Sequence, residues 1–141
     1  MSELNDRMIA LKNALAAQYP ARRVTRVFRP LEQIPDADLA AGVYSLVAGG
    51  EGEFTNVAGY SAKDGKQAII LVAQLKVAPI NNAEADGEAV EAAELAIVDE
   101  VKAFCNALPA TLCQLDLTGW GGSRQMDAPY GWVAFDLEYR P

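Results

Sequence analysis

Two acidic pairs, Asp36 with Asp38 and Glu51 with Glu53, are the first residues whose types and spacing could do chemistry. Carboxylates set this close can share a proton in acid–base work or hold a hard divalent cation through oxygen. Both pairs fall in segments punctuated by proline or glycine, where solvated acids are the rule. The chain has no histidine, so the commonest base and the commonest metal ligand are missing. Cys105 and Cys113 lie eight apart, which does not match zinc-site spacing, and they read as two small core residues in a reducing compartment. Gly50-Glu51-Gly52 has the outline of a dinucleotide loop, but it lacks a third glycine, opens no helix, and carries a charge that repels phosphate. No nucleophile with a base, no metal cluster and no phosphate cradle emerges, so no catalytic residue, metal or cofactor is expected.

The elements that would position these residues read clearly from periodicity. Leu4, Met8, Leu11 and Leu15 form one helical stripe, which predicts a helix over Glu3–Gln18, capped by Ser2 and stopped by Pro20. Arg22 to Phe28 is rich in β-branched and aromatic residues and predicts a strand. Pro30 to Leu39 is expected to be a loop with one helical turn from Pro35. Gly42 to Ala48 predicts a strand buried on both faces, broken by the glycines at 49, 50 and 52. A more polar strand is expected over Glu53–Tyr60, followed by a turn at Lys63-Asp64-Gly65-Lys66. Gln67–Val77 is the longest strand and the expected sheet centre. A second long helix starts near Glu84 or Glu88 and runs to Ala107. Its core face is Val90, Ile97, Val101, Phe104 and Leu108, within about 60° of arc. Leu112–Thr118 and Tyr130–Arg140 alternate as strands, around a glycine-rich loop Gly119–Pro129.

The order is helix, four strands, helix, two strands. It predicts an α+β, two-layer sandwich: a mostly antiparallel or mixed sheet of about five or six strands, with two helices packed on one face. At 141 residues, 51% apolar and 22% charged, residues 1–141 read as one folded domain. No apolar run approaches the length of a membrane span, and Met1–Ala10 lacks the basic start and apolar core of a secretory leader.

Charge distribution points to contacts rather than catalysis. The net charge is −7, which disfavours nucleic acid and anionic membrane as partners. Arg22, Arg23, Arg26 and Arg29 nevertheless cluster within eight residues, while Glu84–Glu100 carries seven acids and no base. The two runs are either solvated faces or surfaces of opposite sign that meet between copies of the chain. On the second helix, Leu95 falls on the charged side beside Glu91, Asp99 and Lys102, flanked by Ala89, Ala92, Ala96 and Ala103 that would admit a neighbouring backbone. Trp120, Arg124, Met126 and Asp127 in the glycine-rich loop are of the types enriched at interfaces. The plainer alternative is that Trp120 and Trp132 cap the sheet edge.

The chain resembles the phage tail terminators, the family of minor tail protein U of long-tailed phages and its Mu-like relatives. The resemblance rests on Gly42-Val43-Tyr44-Ser45-Leu46 with the glycine break after it, and on the long strand Ala68–Val77. It rests further on Gly121/Gly122, Arg124, Asp127, Gly131-Trp132 and the closing Phe135-Asp136-Leu137-Glu138-Tyr139. The likeness implies a ring, a hexamer of this chain, that caps the growing tail tube in the host cytoplasm and becomes part of the virion. It would stop polymerisation and prepare the tail for head joining. The implied partners are further copies of itself, the tail tube protein and a head–tail connector or neck protein. Two other readings stay open: a neck or head-completion protein of similar fold, and a small ligand-binding domain or enzyme with an acidic pocket.

Overall fold

The first helix, α1 (Glu3–Gln18), buries Met8, Leu11 and Leu15 along the expected stripe and ends just before Pro20. A computed structural model of the chain describes residues 3–54, 56–57, 60–61 and 65–139. The expected cap Ser2, the turn residues Lys63 and Asp64, and Arg140 lie outside them.

After α1 comes β1 (Arg23–Thr25), three residues long rather than the seven expected. The Thr25 hydroxyl oxygen accepts from the Val27 backbone N–H at 3.0 Å. That local turn competes with the strand ladder and leads the chain away from the sheet, leaving Val27 and Phe28 exposed. The next segment forms a single 3-10 turn and then α2 (Asp36–Ala41), which starts after Pro35 and is longer than the one turn expected. Strand β2 (Val43–Gly52) continues through the glycines expected to break it. A bulge at Gly49 absorbs the irregularity, and pairing with β5 (Lys66–Lys76) carries the strand onward. Between β2 and β5, the expected single strand is instead a ribbon of β3 (Asn56–Val57) and β4 (Tyr60–Ser61), paired antiparallel to each other.

Helix α3 (Ala83–Asn106) is capped by Asn82, whose side-chain oxygen accepts from the Glu84 and Ala85 N–H groups at 3.1 and 3.2 Å. Its core face buries Val90, Ile97, Val101 and Phe104, with Leu108 half-buried just past its end. Strand β6 (Leu115–Gly122) begins later than expected and takes in Gly119–Gly122, so the connecting loop shrinks to Ser123–Pro129. Cys113 falls in the turn before β6 and is exposed, contrary to its expected place in the core. Cys105 is half-buried against the core. Strand β7 (Tyr130–Tyr139) alternates as expected, with Val133, Phe135, Leu137 and Tyr139 buried.

The large sheet is mixed, ordered β1-β2-β5-β7-β6, with β1 and β2 parallel and all other pairs antiparallel. The longest strand, β5, is central. One face carries Tyr44, Leu46, Ile69, Leu71, Ala73, Val133, Phe135 and Leu137, against which α1 and α3 close the main core. The protein is therefore an α+β, two-layer sandwich. A third, short helix departs from the two expected: α2 covers one end of the opposite face through Leu39, with Ile34, Val43 and Tyr130. That cover is why the start of β2 is buried on both sides. The rest of this face, including Ala68, Ile70 and Asp136, is exposed, with Val47, Val72 and Ala134 half-buried between them.

Candidate functional site

The β6 edge brings together residues that the sequence places 25 or more positions apart. A second bulge, between Leu117 and Gly119, shifts the alternation of β6 by one residue. Leu117 pairs with Leu137 and Trp120 with Phe135, so both stand on the helix side of the sheet. Without the bulge Trp120 would point to the other face. Beside it, α3 presents Glu91 and Leu95, and the β6–β7 loop contributes Arg124 and Gln125. Together with Glu94 and Gly122 these line a cleft of about 480 Å³. Leu95 is 45% exposed, Trp120 44%, and the neighbouring loop residue Met126 81%.

Glu94 holds this arrangement. Only 6% exposed, its carboxylate accepts from the Ser123 hydroxyl and from the Trp132 backbone N–H at 3.1 Å. A side chain at Gly131 would place its Cβ 2.7 Å from Glu94 Oε2 and 2.8 Å from Val90 Cγ1, so only glycine lets β7 approach α3 here. Gln125 donates from Nε2 to the Glu91 carboxylate. A Cβ on Gly87 would come within 2.4 Å of Gln125 Oε1. Arg124 and Gln125 both adopt left-handed backbone (φ 58° and 62°), which costs each about 1–2 kcal/mol and sets the loop over the helix. The Ala128–Pro129 peptide is cis. The sequence reading missed Glu94, Gln125 and Gly87. A signal for Glu94 was present: it lies one turn from Val90 and from Ile97, a carboxylate on the core face of an amphipathic helix.

The expected contact residues separate into groups. Glu91, Leu95, Trp120 and Arg124 meet in the cleft; Asp99 is exposed one turn further along α3, and Met126 stands beside the cleft. Asp127 instead lines a depression with Leu31, Glu32 and Tyr130.

The arginine cluster sits at the opposite sheet edge and is not a uniform patch. Arg22 turns inward: Nε donates to Glu100 Oε1 at 3.2 Å, Nη2 pairs with Oε2, and Nη1 donates to the Ala41 carbonyl at 3.0 Å. The Glu100 hydrogen bond raises the Arg22 pKa. The Tyr44 hydroxyl reaches Glu100 Oε1 at 3.3 Å, and burial first, with the Glu100 charge second, pushes this phenol far above its ordinary range. The contact expected between arginines and the acidic helix thus exists within one chain for Arg22. Arg23 pairs with Asp38 at 3.1 Å, and Arg26 donates to Asn5 Oδ1 at 2.9 Å. Arg29 is exposed; its backbone carbonyl accepts from Gln74 Nε2 at 2.9 Å. Arg23, Val27, Arg29 and Ser45 line a second, smaller cleft of about 290 Å³.

The acidic pairs are engaged structurally. Asp36 pairs with Lys76 at 3.1 Å, Asp38 with Arg23, and Glu53 with Lys66 at 3.4 Å, while Glu51 accepts from the Gly65 N–H at 3.2 Å. Among the described residues no group of three acids or cysteines stands close enough to hold a metal ion. Among those residues, too, no helix is long and apolar enough to cross a membrane. No family model matches the chain, and no curated protein matches its sequence.

Proposed function

We propose that this chain is a structural virion assembly protein of the tail-terminator kind: copies join as a ring of six on the last ring of the tail tube, halt its growth, and present a surface for head joining. The observation that carries this reading is the β6-edge cleft. There Leu95 and Trp120 stand exposed with Met126 beside them, while the buried Glu94 and two left-handed residues hold their surroundings in one shape. Exposed apolar and aromatic side chains on a fixed frame, rimmed by Glu91 and Arg124, have the make-up of an interface core with a polar rim. The α+β sandwich is the fold the element order predicts, and the paired acids leave the cleft as the better-built feature.

Function here is shape and charge matching among copies and with the tube. Two measurements test it. Sedimentation across a concentration and salt series is expected to show weak self-association in free protein, strengthened by tube ends. Tubes polymerised with the protein present are expected to be shorter than tubes polymerised without it. Tubes of unchanged length would refute the terminator reading. Loss of head joining from tails of normal length, in particles lacking the protein, would place it at the neck instead.

A further inference from the structure

The two edges of the sheet carry unlike features at one level. Strand pairing defines a single row across the sheet, Val24, Tyr44, Ala73, Val133 and Gly122. At the β6 end of that row lies the acidic-apolar cleft. Two residues past Val24, at the β1 end, the chain leaves the sheet as Arg26-Val27-Phe28-Arg29, with Val27 59% and Phe28 50% exposed between exposed arginines. One edge thus presents two exposed apolar side chains flanked by positive charge, a knob beside the smaller cleft that Val27 and Arg29 also line. The other is an apolar hole whose helix wall carries Glu91, with Glu88 and Asp99 exposed further along the same helix, against Arg124 in the cleft and Lys102 one turn past Asp99.

We propose that these are the two halves of one contact: the Arg26–Arg29 segment of one copy seats in the α3/β6 cleft of the next. Val27 and Phe28 cover Leu95 and Trp120, and the flanking guanidinium groups face the acids of α3. This rests on the ring reading above and names the surfaces that make the ring. Charge decides against the symmetric alternatives. Knob against knob sets Arg26 and Arg29 of two copies together, and cleft against cleft does the same with Glu91 and Asp99. A contact between two different surfaces repeats head to tail, and it closes into a ring when the rotation allows. Arginine over the exposed Trp120 ring adds a cation–π term.

The test uses the whole chain with Arg29→Glu, Glu91→Arg, the R29E/E91R pair, and Phe28→Ser. Self-association is read by sedimentation at low salt and folding by thermal melting. Each charge reversal is expected to weaken association about tenfold, and the pair to recover most of it, as complementary charges across a contact require. Phe28→Ser is expected to weaken association at least as much. Both Arg29 and Phe28 are exposed, so their variants should melt like the parent. As a second measurement, F28C/L95C in a C113S background should cross-link under mild oxidant into a ladder that ends at a finite size. Assembly that ignores both reversals, or a swapped pair no better than its singles, would overturn this contact and leave the ring reading standing. A parent chain that stays monomeric at every concentration, with tube ends present, would overturn both.

Discussion

Replacing Arg22 by alanine removes three side-chain hydrogen bonds, two to Glu100 and one to the Ala41 carbonyl, and leaves the Glu100 carboxylate, among the described residues, with Tyr44 and a fifth of its side-chain surface in water. Breaking a fully buried pair costs about 3–5 kcal/mol, whereas an exposed pair contributes at most about 1 kcal/mol. Arg22 and Glu100 are 25% and 20% exposed. They sit nearer the buried limit, so the expected loss is about 2–3 kcal/mol, or roughly 6–15 °C in Tm for a domain of this size. Urea unfolding with an unchanged m-value checks it. Removing both partners, as R22M/E100M, should cost about 1–2 kcal/mol less than the two singles combined, because no orphaned charge remains. A loss under about 0.5 kcal/mol in Arg22→Ala, together with weaker self-association, would refute the assignment and return Arg22 to the contact surface.

The remaining predictions concern the clamp, the thiols and the sheet. Gly131→Ala should lose about 1–3 kcal/mol by urea unfolding, since its new methyl meets Glu94 and Val90 below 3 Å, and Glu94→Ala should lose as much or more by orphaning the Ser123 hydroxyl and Trp132 N–H. Exposed Cys113 should react with a maleimide far faster than half-buried Cys105, whose thiol burial pushes up to about 11, with Asp116 adding to the shift. Equal rates in mass spectra of the two peptides would refute this. The same shift has a stability sign. A raised pKa in the folded state stabilises fully below the ordinary value near 9 and loses that stabilisation as pH climbs toward 11. Tm should therefore fall over that window, and less steeply in Cys105→Ala.

How much of this was legible beforehand varied with whether local pattern or pairing decided the outcome. Helix α1 and strand β7 read correctly because one stripe and one strict alternation carry the burial. The glycines at 49–52 and 119–122 misled because glycine weakens a strand without forbidding it. Pairing with β5 and with β7 keeps both runs in the sheet, and the bulges there are invisible to a period-two pattern. The bulge before Gly119 also fixes which face Trp120 takes, so the cleft could not be assembled from sequence although four of its lining residues had been picked out. The reading of Arg22–Phe28 as a long strand failed on one hydroxyl, Thr25, which turns the chain out and creates the exposed Val27–Phe28 pair. Charge counting could not tell Arg22 from Arg29, because the difference is a turn of backbone at Gly42 (φ 86°), where a Cβ would meet Arg22 Nη1 at 2.5 Å.

A sheet clothed by two long helices on one side and by a single short one at the end of the other has a front and a back. Any assembly that repeats the chain by rotation about one axis inherits that inequality as two unlike walls, one of helix and one of largely bare strand with Ile70 and Ala68 open to water. Whatever approaches from either side meets different chemistry, so such an assembly is directional by construction and needs no extra component to tell its ends or its linings apart.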